Sequence, residues 1–545
     1  MDWSSRFEGH DIDHNYNLFV QAVSSAIDIY IPRVSKANKA KPSWWSKRLS
    51  VAVCNKKRLF NKWKTTKTSS DYQTYAQHRN TVKSMIRSSQ SSYESKLIQL
   101  SQTHPKVLYH YINSKQKNRS DITHLQKPDG TITLSDAEAA EELNSFFKST
   151  FTLEESKCHR KWSAAVDSGF GVDVIYLDYS KAFDSVPHLR LISKLQSYGI
   201  NGNLLTWIKN FLIGRQQRVV LNGSSSRWVN VTSGVPQGSV LGPLLFILYV
   251  NDITDGLQST LEMFADDSKL YRIIQTPQDV NILQEDLNFI SNWSRLWLLK
   301  FNTLKCTVIH LGRGNHNTYT LYDQASGAHS QLELTTEQRD LGVWITPDMG
   351  SSLHCHKIAS NANQVLGRLK RSFKNRSAPS FTLLYKTLVR PHLEYCAPIW
   401  SPHLAKDIDV LEKVQRRATK LIPSISTLSY EGRLQELDLH SLFCRRQRGD
   451  LIEVFKILNS YYQIDPKDIF TLQQDSVTRG HPMKLFKQRI CRSIGQHFFN
   501  FRIIQQWNDL SDKVVLAKTI SSFKHSLDQY WRETGHGHCQ RPLAY

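Results

Sequence analysis

Three carboxylates in two places set the chemistry this sequence can support. Asp178 closes the short apolar run Val174-Ile-Tyr-Leu177, and Asp266-Asp267 lies between Leu261-Glu-Met-Phe264 and the segment Ser268 to Ile273. Polynucleotide extension is in-line attack of a hydroxyl on a phosphoryl group, and two divalent ions roughly 3.5 to 4 Å apart stabilise the entering and leaving oxygens together. Mg²⁺, with Mn²⁺ as an alternative, prefers hard oxygen ligands and takes one or two protein carboxylates beside substrate phosphates. A carboxylate at a strand end and a pair in a neighbouring turn meet that need. An Asp-Asp pair alone says little, because turns favour aspartate. Between the two acidic sites, however, lies Gly234-Val-Pro-Gln-Gly-Ser239. Its two glycines and one proline fix a tight backbone and allow a nucleotide or another chain segment to approach closely.

Such residues work only on a frame that holds them still. Val174 to Leu177 reads as a strand, and His188 to Tyr198 and Leu204 to Leu212 read as amphipathic helices. Arg218 to Asn222 and Arg227 to Thr232 read as a hairpin about Gly223-Ser-Ser-Ser226. The longest apolar run, Val240 to Val250, reads as a buried core helix. Two short strands flank the acidic turn, followed by a helix from about Val280 to Leu299 and a strand from Cys306 to Leu311. This order predicts an α+β fold, a split β-α-β pattern on a mostly antiparallel sheet.

Either side of that unit the texture is helical and basic. Beyond Asp340-Leu-Gly-Val343, apolar periodicity marks helices at Ile358 to Leu369, Leu383 to Leu388, Val410 to Leu421 and Leu442 to Leu458. Their faces carry Arg368-Leu-Lys370-Arg371, Arg416-Arg417 and Arg445-Arg446-Gln-Arg448, which suit contact with the phosphates of a duplex. From Trp3 to about Glu155 cations and aromatics are interleaved, as in Lys41-Pro-Ser-Trp44-Trp45-Ser-Lys47-Arg48, with helical periodicity from Tyr72 to Leu100. Rings that stack on bases beside phosphate-neutralising cations suit single strands. A solvated helical hairpin without a ligand is the competing reading.

Composition agrees with a nucleic-acid partner. Lys and Arg number 70 against 48 Asp and Glu, a formal net charge of +22, which favours a polyanion. Val240 to Val250 is too short to span a bilayer, and the polar start MDWSSRFEGHDIDHN lacks the apolar segment of a secretory signal. The expectation is an intracellular protein of the cytoplasm and nucleus, without a membrane partner. Eight cysteines, Cys54, Cys158, Cys306, Cys355, Cys396, Cys444, Cys491 and Cys539, form no C-x-x-C pair and read as reduced thiols. His354-Cys-His356 and His536-x-His538-Cys539 lack the spaced partner pair of a zinc site.

Asp178-Tyr-Ser-Lys-Ala-Phe183-Asp184, Gly234-Val-Pro-Gln-Gly-Ser239 and Phe264-Ala-Asp-Asp267 together resemble three successive palm motifs of non-LTR retrotransposon reverse transcriptases, of the jockey-like kind. Asn302-Thr-Leu-Lys305-Cys306, Leu311-Gly312, Asp340-Leu-Gly-Val343, Val389-Arg-Pro-His-Leu-Glu-Tyr395, Phe498-Phe-Asn-Phe-Arg502 and Trp507-Asn508 extend the resemblance over about Trp3 to Trp531. It implies a right-hand polymerase palm over 170–325, a basic helical linker or arm over 1–155, a thumb-like helical region over 326–462 and a C-terminal region over 463–545. It also implies an RNA-directed DNA polymerase that uses an RNA template, a DNA primer and deoxynucleoside triphosphates. Asp178 and Asp266 match the principal metal ligands, and Asp267 matches the second aspartate of the pair. Phe183 matches the aromatic gate beneath the sugar; Gln237 and Gly238 match the loop contacting template and incoming base; Lys305 matches a lysine near the triphosphate. A bulky ring can reject a 2′-hydroxyl by clash, which supports the gate and disfavours an RNA-directed RNA polymerase; the competing role is an ordinary core phenylalanine. Asp184 is expected to cap a turn.

Two departures from the family stand out. Ser145-Phe-Phe-Lys-Ser-Thr-Phe-Thr-Leu-Glu154, which resembles the end of the linker, runs almost directly into Trp162-Ser-Ala-Ala-Val-Asp167, without the long fingers region that binds template and triphosphate. The resemblance also leads to the expectation that the apurinic-type endonuclease preceding the linker in such elements is absent. The expectation is a polymerase whose nucleotide capture is impaired. The alternative is a nucleic-acid-binding remnant of the same element without catalysis.

Overall fold

The computed structural model describes residues 42–101, 104–114 and 161–534, apart from 219, 222–223, 313–316, 325, 375, 463, 474–480 and 488–492. Expectations resting on Trp3 to Lys41, on Ser145 to Glu154, and on Cys158, Gly223, Cys491, His536, His538 and Cys539 lie outside these residues. The chain divides into two units, Met1–Tyr93 and Glu94–Tyr545. In the first unit, α1 (Lys47–Thr66) is capped by Ser46, whose side chain accepts from the Leu49 amide, and ends at Lys67 in the left-handed region before α2 (Ser69–Leu100) begins.

The second unit begins within α2, adds α3 (Pro105–Ser114), and is organised by β1 (Gly171–Leu177), which is buried almost throughout. After it come α4 (His188–Ser197), α5 (Gly202–Leu212) and a two-rung ribbon in which β2 (Gln216–Gln217) pairs with β5 (Val229–Asn230) and β3 (Val220–Leu221) with β4 (Ser224–Ser225). Then follow α6 (Leu241–Val250), the hairpin β6 (Thr260–Phe264) and β7 (Asp267–Ile274), α7 (Pro277–Trp297) and β8 (Thr307–Leu311). β1 runs antiparallel between β7 and β8, so α7 crosses over a strand that splits the two it connects. Next come β9 (Thr320–Asp323) paired with β10 (Ala328–Gln331), the short β11 (Glu333–Leu334), and β12 (Gln338–Asp340) paired with β13 (Val343–Ile345). The main sheet has the order β11-β8-β1-β7-β6, and only the β11-β8 pair is parallel. The result is a mixed α/β, palm-like fold.

Strand alternation divides the packing. Ile175, Leu177, Leu270 and Val308 join Leu191 and Leu195 of α4, Phe246 and Tyr249 of α6, and Leu283, Leu287 and Ile290 of α7 in one core. Val172, Val174, Tyr271, Ile309 and Leu311 form the other with Trp162, Ala165, Val166 and Ile345. The apolar run Val240 to Val250 is therefore one-sided rather than wholly buried: Leu245, Phe246, Tyr249 and Val250 are inside, while Val240, Leu244 and Ile247 are at least half exposed. An all-apolar segment has no polar face to reveal its orientation, so only its neighbours decide it.

The remainder is helical, with α8 (Ser352–Ser372), α9 (Ala378–Leu384), α10 (Ala405–Lys420), α11 (Leu442–Leu458) and α12 (Ile520–Glu533). Phe455, Trp507 and Phe523 stack at its far end, Phe455 on Phe523 at 4.3 Å and Trp507 on Phe523 at 6.1 Å between ring centres. The arginines of α11 do not form a free phosphate-binding face. Arg445 bonds Glu394 through two nitrogens, Arg448 bonds both oxygens of Asp528 at 2.7 Å, and Arg446 is buried. Helical spacing gave their faces but not the acids opposite. Cys54, Cys306, Cys355 and Cys396 form no disulfide, as expected, whereas Cys444 is disulfide-bonded, a proximity that spacing along the chain cannot reveal. Among the described residues no helix is long and apolar enough to cross a membrane.

Candidate active site

The last paired residues of β1 and β7 are Leu177 and Ser268, so one further step of the register sets Asp178 against Asp267. Residues opposite one another on antiparallel strands share a face. Asp266 and Ala265 make the two-residue turn closed by the Phe264–Asp267 pair, and Ala265 sits there at φ 51°. Short hairpin turns demand positive φ, which a residue with a Cβ adopts at a cost of about 1 to 3 kcal/mol. Pairing of β6 and β7 holds that strain in place, presenting the acidic pair at the strand end.

Asp178 is held through its backbone. Its amide donates to the Cys306 Sγ at 3.4 Å, its carbonyl accepts from the Asn302 amide at 2.7 Å, and the Ser180 amide donates to the Lys300 carbonyl at 2.7 Å. Burial pushes the Cys306 thiol up to about 11, so it stays protonated at neutral pH. The Asp178 side chain is half-exposed, yet its Oδ2 is buried without a hydrogen-bond donor. The Lys305 ammonium lies 3.5 Å from that oxygen on a side chain that is itself 66% exposed. A solvent-screened pair of this kind is worth about 0 to 1 kcal/mol and leaves the lysine free to move.

Asp267 titrates above the ordinary carboxylate range, first because its carboxyl is partly desolvated although the residue is open to solvent, then because Asp266, Asp340 and Asp178 repel its charge. Asp340 was visible in the sequence as a motif residue; its role in this charge cluster was not. Its Oδ2 accepts from the buried Lys269 ammonium at 2.9 Å and from the Tyr176 hydroxyl at 3.2 Å. Among the described residues no three His, Cys, Asp or Glu side chains group as a set able to hold a metal ion.

The glycine loop is fastened to the turn after β1. The Val235 amide donates to the Phe183 carbonyl at 2.8 Å and the Gly234 amide to the Val186 carbonyl at 2.8 Å. A Cβ at Gly234 would stand 2.7 Å from the Asp184 Cα and carbonyl oxygen, so glycine is required by contact as well as by its φ of 91°. Asp184 thus contributes its backbone, which packs on Gly234 and accepts from the Ser233 hydroxyl at 2.8 Å; its exposed side chain makes no capping bond. Phe183 lies half-buried and nearly parallel to Phe246 at 4.7 Å, while Gln237 and Gly238 are exposed. Two residues that the sequence did not single out secure the loop. His188 Nε2 lies 2.9 Å from the Gly234 carbonyl, and Arg215 donates to the same oxygen at 2.7 Å. No spacing signal marks them, since they reach the loop from α4 and from beyond α5.

Residues 143–345 match the family described as reverse transcriptase (RNA-dependent DNA polymerase). It is 27% identical over 271 residues to the probable RNA-directed DNA polymerase from transposon X-element of Drosophila melanogaster, covering 47% of this chain and 29% of that protein. It is 31% identical over 261 residues to the RNA-directed DNA polymerase from mobile element jockey of the same fly, covering 45% of this chain and 28% of that protein. An apo telomerase from Candida tropicalis overlaps 59% of this chain and 52% of its own at 12% identity, with a TM-score of 0.30. The chain spans less than a third of the length of these two curated relatives. The jockey-like resemblance of its motifs is thus met by relatives of that kind.

Proposed function

We propose that this chain performs RNA-directed DNA synthesis by two-metal nucleotidyl transfer, with weak nucleotide capture. The observation that carries the reading is the Asp178 oxygen, withdrawn from water and without a hydrogen-bond donor, met only by the loose, exposed Lys305 ammonium at 3.5 Å and set beside the repelling Asp266-Asp267 pair. Such a carboxylate is costly unless a cation takes it up. Asp178 and Asp266 supply the one or two carboxylates that Mg²⁺ takes alongside substrate phosphates, which is compatible with the lack of a closed three-ligand group. Asp267 is the accessory carboxylate. Bound Mg²⁺ would neutralise charge developing on the transferred phosphoryl group.

The remaining roles fall to residues of the same region. Lys305, loosely paired with Asp178, turns to the triphosphate when nucleotide enters. Phe183, braced on Phe246, rejects the ribose 2′-hydroxyl, and Gln237-Gly238 meets the template and incoming base. The helical region over 326–462 serves as thumb and 463–545 as a C-terminal region, with the work done in cytoplasm and nucleus. If the fingers region is lost between Glu154 and Trp162, as the motif order suggests, half-saturation by deoxynucleotides is expected toward the millimolar end of the usual enzyme range.

Primer extension on an RNA template with purified full chain and Mg²⁺ tests this. Deoxynucleotide incorporation that falls about a thousandfold or to background in Asp266→Ala is expected, since the metal site supplies several kcal/mol and each 1.36 kcal/mol is tenfold. Equal incorporation by the variant would sink the assignment, and saturation at low micromolar nucleotide would remove the claim of weak capture. The other reading, a binding remnant without catalysis, is favoured by the +22 charge alone and predicts RNA affinity indifferent to Asp178→Ala with or without Mg²⁺ and nucleotide.

A further inference from the structure

The helical hairpin of the first unit lies outside the residues matched by the reverse transcriptase family, and its charge is lopsided. Residues 42–93 hold eleven Lys and Arg against one acid, Asp71. That acid is engaged at the closed end of the hairpin, where it accepts from Lys62 at 2.8 Å, Thr66 at 2.7 Å and Thr68 at 3.1 Å. The remaining cations have no acid within this segment to answer them. The hairpin also buries very little, since among residues 42–93 only Leu49 and Val82 are buried.

Four rings gather beside the closed end instead of a core. Phe60 and Trp63 of α1 meet Tyr72 and Tyr75 of α2, with centroid distances of 5.2 Å for Phe60–Tyr75, 5.1 Å for Trp63–Tyr72 and 5.7 Å for Phe60–Trp63. The Trp63 and Tyr75 planes are parallel to within 2°. Phe60 is 38% and Tyr72 43% exposed. Along α1, Lys56, Phe60, Trp63 and Lys64 fall within about 100° of helical arc over roughly 12 Å, which puts them on one face of the helix, and Lys67 follows at its cap. Cations thus bracket the rings on a single stripe, and the Arg79 guanidinium lies 5.9 Å from the Tyr75 ring centre.

We propose that this stripe is a binding site for single-stranded RNA, with Phe60 and Tyr72 as stacking surfaces for bases and Lys56, Lys64 and Lys67 as phosphate partners. Charge complementarity selects a polyanion. Exposed rings select unpaired bases, because a duplex keeps its base faces stacked inside. That the strand is RNA rests on the reverse transcriptase reading; that it is single-stranded rests on the rings. The site needs neither Mg²⁺ nor the carboxylates around Asp178.

Fluorescence anisotropy of a labelled mixed-sequence 20-nucleotide RNA with the full chain, over a salt series without Mg²⁺, tests it. Replacing Phe60 and Tyr72 together by Leu keeps apolar bulk and removes the rings; affinity should fall about tenfold to a hundredfold with the salt slope nearly unchanged. Lys56, Lys64 and Lys67 replaced together by Gln should lower the slope of log affinity against log salt by about 2, at roughly 0.7 for each phosphate no longer neutralised. Circular dichroism checks that both variants keep their helices, and Phe60→Trp with Tyr72→Trp should restore binding if stacking is the cause. Wild-type affinity in both the Leu and Gln variants, or tighter binding of the matched RNA duplex than of the single strand, overturns the proposal. Asp178→Ala should bind the RNA like wild type, so failure of extension and failure of this site are separately readable.

Discussion

The sheet end around Asp178 and the helical region beyond Ser352 treat charge in opposite ways. In the helices several acids and arginines find each other, although the buried Arg446 guanidinium has no hydrogen-bond partner: Arg502 spans both oxygens of the buried Asp450 at 3.0 and 3.1 Å while also donating to the carbonyls of His497 and Pro398. Arg445 and Arg448 are committed to Glu394 and Asp528 in the same two-toothed manner. At the sheet end like charges are crowded together, with Asp178 lacking a hydrogen-bond donor on one oxygen and Asp267 repelled by its neighbours. The first arrangement holds helices in place. The second lowers the stability of the isolated chain and leaves carboxylates ready for a cation.

That contrast can be broken from either side. The largest effect on stability should come from Arg502→Leu, which abandons a buried carboxylate; about 3 to 5 kcal/mol should be lost in urea unfolding. A loss below about 1 kcal/mol would show that the helical ion pairs are ornamental. Next comes acid. His354 is buried, with its Nδ1 accepting from the Trp344 amide, and burial followed by the Arg339 charge lowers its pKa to about 4. Its neutral form is the one the fold retains, so its contribution is full above about pH 6.5 and is lost as pH falls toward about 4, up to roughly 3 kcal/mol. A stability profile between about pH 4 and 7 that is no steeper in wild type than in His354→Asn would contradict this.

Smaller effects sharpen the other side. Gly234→Ala should cost about 1 to 3 kcal/mol, because its Cβ meets the Asp184 backbone, and should depress primer extension; Gly238→Ala, at φ 83° with nothing within 4 Å of its Cβ, should cost only about 1 kcal/mol. Equal losses would show that the contact with Asp184 is unimportant. The smallest change should run in the opposite direction. Asp267→Asn removes a repelled charge and should stabilise the metal-free chain by no more than about 1 kcal/mol, given its exposure to solvent. The carboxyl is ionised against this repulsion only above its raised pKa, so the gain should vanish in acid below pH 3.8. Destabilisation at neutral pH would mean that Asp267 belongs to the paired class after all.

Much of this was legible without coordinates. A short apolar run marked β1, short strand segments beside the acidic turn and from Cys306 marked β7 and β8, helical periodicity marked α4, α5 and α7, and Asp178, Gly234 to Ser239 and Asp266-Asp267 stood out by type and spacing because local backbone demands select those residues. Partnership across the fold was not legible. The grip of His188 and Arg215 on the Gly234 carbonyl, the Lys269–Asp340 pair beside Asp267 and the exposed side of α6 each join segments far apart in the chain. Sequence alone determined which residues can form a strand, a turn or a carboxylate pair, since those depend on neighbours a few positions away. Only the tertiary structure decided which charges are answered, because an arginine on a helix face reads the same whether an acid or a phosphate will meet it.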